Sequence, residues 1–130
     1  MERKIIFHPP QSNPVAEVVS GEILIRSAQE ALDLMMEISY QGSDSIILYE
    51  RNLAPGFFEL ETGLAGEVLQ KFSNYRMNLA IVGDFSKFTR KSIRDFIFES
   101  NRQGRIVFTQ TLEEALAANR TGSGLHSKQQ

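Results

Sequence analysis

Three short apolar runs constrain this chain more than anything else in it: Ser45-Ile46-Ile47-Leu48-Tyr49, Leu79-Ala80-Ile81-Val82 and Arg105-Ile106-Val107-Phe108. A strand that is apolar on both faces belongs inside a sheet covered on both sides. The stretches between the runs have a period near 3.6: Leu64, Val68, Leu69, Phe72 and Tyr75 over 63–75, then Ile93, Phe96, Ile97 and Ser100 over 86–101. That spacing predicts helices. Strands alternating with helices need right-handed crossovers, which make successive strands parallel neighbours.

Two earlier strands, Ile5-Ile6-Phe7 and Val15-Ala16-Glu17-Val18-Val19, flank a turn-rich segment with Pro9, Pro10 and Pro14, the pattern of a hairpin. Ser27 with Glu30, and Thr111 with Glu114, are capping boxes that open a helix to Tyr40 and another through Ala118. Ser86 is placed to cap the helix that runs to Asn101. The predicted order is ββαβαβαβα, a single α/β domain over 1–119 with a mixed, mostly parallel sheet. Residues 120–130 lack a packable pattern and read as a disordered tail.

Composition removes several function classes. Without cysteine there is no thiolate nucleophile, disulfide or cysteine-based zinc site. A formal charge of −2, from 14 basic and 16 acidic residues, gives no global attraction for nucleic acid or anionic lipid. The N-terminus lacks the apolar run of a signal peptide, and no stretch approaches the roughly 20 apolar residues of a membrane span. A cytoplasmic protein without membrane contact is expected. The two histidines, His8 and His126, are far apart, and no metal or cofactor is expected.

In open α/β sheets the carboxyl ends of parallel strands form the working edge. Here that rim would hold Glu50, Arg51, Asn52, Glu61, Thr62, Gly63, Asp84, Ser86 and Lys87. Thr62 and Ser86 stand at helix starts, where free backbone amides favour an added phosphate. Glu50, Glu59, Glu61 and Asp84 could form an acid–base pair only if the fold converged them. Lys87, Arg90, Lys91 and Arg94 recur at helical spacing as a basic surface with Phe98 one turn on, offset by Asp95 and Glu99. Gly63-Leu64-Ala65-Gly66 lacks the lysine of a phosphate loop.

The segment Glu61-Thr62-Gly63-Leu64-Ala65-Gly66 and the element order resemble the anti-sigma-factor antagonist, or STAS, family. The resemblance puts Thr62 at that family's phosphorylated hydroxyl, although Glu61 replaces part of the paired-serine motif and Ala65 separates Leu64 from Gly66. A closer resemblance is to a bacterial family catalogued as domain of unknown function 4180. It is carried by Ala31-Leu32-Asp33-Leu34-Met35, by the run from Thr62 to Phe72, by Leu79 to Ser86 and by Ser92 to Asn101, and it implies a single-domain fold but no activity.

Together these features favour a non-enzymatic regulatory module that binds another protein through the rim and the helix near Thr62. The alternative is a small-molecule-binding protein or enzyme using Glu50, Glu61, Asp84 and Arg94. Nucleic acid is the least favoured partner. Self-association is open through Phe57, Phe58 and Phe98.

Overall fold

The apolar runs become the middle of one sheet. The computed structural model describes residues 3–125, with five strands and four α-helices among them: β1 (Lys4–His8), β2 (Val15–Val19), α1 (Ala28–Tyr40), β3 (Ser45–Tyr49), α2 (Leu64–Asn74), β4 (Asn78–Val82), α3 (Lys91–Gln103), β5 (Ile106–Thr109) and α4 (Leu112–Leu125). The strands lie in sequence order, β1-β2-β3-β4-β5. β1 and β2 form the expected antiparallel hairpin, and β2 to β5 are parallel, with Ile47 opposite Ala80 and Ile81 opposite Phe108.

This order decides where the helices go. Three right-handed crossovers that all advance the same way must stack on the same face of the sheet. Accordingly α1, α2 and α3 share one core with the sheet, centred on Ala16, Ile46, Leu48, Leu79, Ile81 and Ile106. α4 follows the last strand and is free of that rule. It covers the opposite face, where Val15, Ile47, Ala80, Val82 and Ala115 form a smaller core. Ile46, Ile47 and Leu48 are fully buried, as a strand covered on both sides requires.

Both predicted capping boxes form with a shift. Ser27 Oγ accepts from Glu30 N at 3.1 Å, but Glu30 Oε1 accepts from Arg26 N at 2.7 Å, one residue before the cap. Thr111 Oγ1 and Glu114 Oε1 repeat this with Glu114 N and Gln110 N. The glutamate reaches past the cap in each case, so the chain entering the helix is held as well.

Three expectations need correction. α3 starts at Lys91, not Ser86, because Asp84 Oδ1 accepts from both the amide and the hydroxyl of Ser86, at 3.1 and 2.7 Å, and closes a turn there. Tyr75 is half exposed, since α2 ends at Asn74 and the chain turns away. Phe57 is fully buried and Phe58 is partly buried, so neither is an exposed aromatic; Phe98, 70% exposed, is. The backbone of α4 continues to Leu125, six residues past the domain end expected at 119, and 126–130 lie outside the described residues.

The two edges of the sheet differ. Along β5, Ser100 Oγ donates to Ile106 O, and the Asn101 amide both accepts from Phe108 N at 2.6 Å and donates to Phe108 O at 3.4 Å. A side-chain amide thus takes the place of a neighbouring strand. Gly104, with φ 88°, ends α3 and lets the chain return to that edge. No side chain among the described residues answers the outward backbone of β1 in this way.

Candidate functional site

Because β3, β4 and β5 run the same way, Tyr49, Val82 and Thr109 leave the sheet at one edge. Two connections build upward from it. After β3 the chain makes three 3₁₀ turns, Glu50–Asn52, Pro55–Phe58 and Leu60–Thr62; after β4 it makes the loop 83–90. Between them opens a cleft of about 650 Å³ with an apolar floor of Leu53, Pro55, Phe58, Phe88 and Ile93. Phe58 and Phe88 stack with centroids 4.7 Å apart, and Phe85 meets Phe108 edge-on at 5.2 Å. Gly83 permits this closeness: a Cβ there would lie 2.8 Å from Glu50 Cβ.

Charges ring the mouth, and most are already paired. Lys87 forms an ion pair with Glu50 and sits 5.5 Å from the Phe88 ring. Arg90 faces Glu61 at 3.7 Å with both side chains mostly in solvent, a pair worth about 1 kcal/mol at most. Arg51 lies over the Tyr49 ring at 4.7 Å and donates from Nε to Ser20 O at 3.2 Å. The Asp84 carboxyl is held below the usual carboxylate range, first by the Ser86 hydroxyl and then by the Ser86 amide.

The residues predicted for the rim separate into three groups. Glu50, Arg51 and Lys87 line the cleft, as do Arg90 and Glu59. Glu61, Asp84 and Ser86 are exposed but do not line it; Ser86 borders a second hollow with Arg94. Asn52 is fully buried and cannot meet a partner. Its Nδ2 donates to Ser20 O and Glu22 O, both at 2.9 Å, and its Oδ1 accepts from Tyr49 N at 2.9 Å. Its own carbonyl accepts from Leu24 N and Ile25 N, pinning the first turn to the segment before α1.

Thr62 lies one residue before Gly63, the N-cap of α2, and is exposed. Its hydroxyl donates to Gly56 O at 2.7 Å and accepts from Leu64 N at 3.2 Å. The basic surface is partly neutralised: Lys91 pairs with Asp95 at 2.6 Å, whereas Arg94 has no ion pair among the described residues. Of the carboxylates of the enzyme alternative, Glu50 lines the cleft and Glu61 and Asp84 do not, and no group of three or more His, Cys, Asp or Glu able to hold a metal exists among the described residues. No helix among them is long and apolar enough to cross a membrane.

The family model described as a domain of unknown function, DUF4180, matches residues 10–118. The chain belongs to that family. No curated protein matches it. Among solved structures it is similar to the crystal structure of a candidate anti-sigma factor antagonist from Thermotoga maritima, at 14% identity and a TM-score of 0.47, over 89% of this chain and 94% of that one.

This DUF4180 domain also carries a polar cluster that the sequence pattern does not announce. Glu17, buried on β2, accepts from the Tyr49 hydroxyl at 2.6 Å and lies 2.8 Å from His8 Nε2. The one available signal was a carboxylate between Val15 and Val19 on the same side of an otherwise apolar strand. Burial, then the hydrogen bond to Glu17 and its negative charge, push the Tyr49 phenol up to about 12. The neutral phenol is therefore favoured by folding. Its contribution is complete below the unfolded value of roughly 10 and is lost as pH rises through the folded one. A phenolate absorbance step near pH 12 is expected, absent from Tyr49→Phe. A step near pH 12 that survives the substitution, over the absorbance of Tyr40 and Tyr75, would refute this.

Proposed function

We propose that this domain is a non-enzymatic regulatory module that holds a segment of another protein in the rim cleft. The observation that carries the reading is the cleft's make-up: an apolar, aromatic floor surrounded by charges, of which Lys87 pairs with Glu50 and Arg90 with Glu61. Interaction sites are built this way, with a desolvated anchor pocket inside a polar ring. Catalysis instead needs titratable groups aimed at a common point, and Glu61 and Asp84 lie outside the cleft that Glu50 borders.

Thr62 is the proposed point of control. Phosphorylation would remove the proton that its hydroxyl donates to Gly56 O, and Gly56 belongs to the turn that carries Pro55 and Phe58, two residues of the cleft. The phosphate would bring about two negative charges to the start of α2, beside the Glu61 that faces Arg90. Modification at Thr62 would thereby loosen one wall of the cleft.

A small-molecule ligand is the second reading, favoured by a volume within the roughly 300–1,000 Å³ of such sites. Thr89→Trp separates the readings from a folding effect, because Thr89 is exposed and borders the cleft, where an indole would fill it. A protein partner retained from the native cell by the wild type is expected to be lost at least tenfold by this variant, with circular dichroism unchanged. Retention of that partner, or capture of none alongside turnover of a small molecule, overturns the proposal. Phosphopeptide mapping of native material tests the switch, and Thr62 unmodified under every growth condition removes it.

A further inference from the structure

The cleft does not stop at the rim. A second hollow, of about 510 Å³, shares Phe88 and Thr89 with it and continues past Phe85, Ile97 and Phe98. A third, also about 510 Å³, shares Thr89, Arg94 and Phe98 with the second. Thr89 borders all three, so the hollows adjoin as a furrow from the turn at Pro55 across loop 83–90 to the first half of α3. Its apolar side chains recur along its length, from Phe58 through Phe88 to the exposed ring of Phe98. A lining that extends over three adjoining hollows suits a linear segment rather than a compact ligand.

The charge of the furrow is opposite to that of the chain. Arg51, Lys87, Arg90, Lys91 and Arg94 line it, against Glu50, Glu59 and Asp95. The chain as a whole is at −2. The excess positive charge is concentrated where it is least satisfied: Arg94 has no ion pair among the described residues, and Arg90 faces its partner across 3.7 Å in solvent. Both stand next to the aromatic positions.

Resting on the reading of the cleft as a protein-binding site, we infer that the furrow takes an acidic linear segment of a partner protein, with an aromatic or large aliphatic side chain in the rim cleft and carboxylates opposite Arg90 and Arg94. A nucleic-acid backbone fits the same surface less well. It needs a run of free cations, whereas Lys87 and Lys91 are committed to Glu50 and Asp95, which leaves separate guanidinium groups suited to one or two carboxylates and not to a repeating phosphate backbone.

Two synthetic peptides with the same phenylalanine anchor, one flanked by aspartate and glutamate and the other by lysine and arginine, test this against the full chain by fluorescence polarisation. The acidic peptide is expected to bind at least tenfold tighter. Arg94→Glu, at an exposed position, should erase or reverse that preference, and Phe98→Ser should weaken the acidic peptide. Equal binding of both peptides, or a preference unmoved by Arg94→Glu, overturns the inference; so does a single-stranded oligonucleotide that binds more tightly than either. These outcomes leave the cleft reading standing if Thr89→Trp still releases the native partner, and that reading falls separately if it does not.

Discussion

Replacing Asn52 with alanine lowers the unfolding free energy by about 3–4 kcal/mol, one of the two largest losses expected of a single substitution here. The side chain is fully buried and makes three hydrogen bonds. Truncation orphans the Tyr49 amide, at roughly 1–3 kcal/mol, removes the bond that the Glu22 carbonyl accepts, and leaves a cavity where the buried amide was. The Ser20 carbonyl keeps its bond from Arg51 Nε. For a chain of this length the loss lowers the melting midpoint by about 10–15 °C. Asn52→Asp should be worse, because a carboxylate oxygen would then face the carbonyls of Ser20 and Glu22. Equilibrium denaturation measures both, and a loss below about 1 kcal/mol for alanine would mean that Asn52 does not anchor the segment after β3.

The second large effect is at Phe57. Its ring has no exposure and packs edge-on against Phe58 at 5.1 Å. Phe57→Ala should destabilise the protein by about 3–5 kcal/mol through lost burial and the cavity left behind. It should also loosen the turns that carry Pro55 and Phe58, so ligand binding would weaken before the fold is lost. Phe98→Ser, at the 70% exposed ring, should change stability by less than about 0.5 kcal/mol. Comparable losses at the two positions would contradict the buried and exposed roles assigned to them.

The contrast between these two phenylalanines shows where sequence patterning runs out. The strands and helices were legible because each has its own period: Ile46 to Leu48 reads as a buried strand, and the spacing of Leu64, Val68 and Phe72 reads as a helix face. The parallel sheet followed from handedness alone. The segment 50–63 has no period, since short 3₁₀ turns do not repeat a face, so Phe57 could not be distinguished from Phe98 or Asn52 from Arg51. The same lack of period hid Phe88 and Thr89 as cleft residues. Ser86 misled for a local reason: a serine two residues after Asp84 closes a turn as readily as it caps a helix. The shared edge for Glu50, Arg51 and Lys87 was legible because it is a property of strand direction and not of any side chain.

The unequal treatment of the sheet's borders makes the molecule directional. Beside β5 the hydrogen-bonding positions at Ile106 and Phe108 are occupied by α3, so an added strand would have to displace Ser100 and Asn101 before it could dock. At the hairpin end nothing comparable among the described residues stands in the way. A fusion, duplication or engineered insertion that widens this sheet will therefore extend it beyond β1, with β2 between that border and the strands whose connections build the rim cleft.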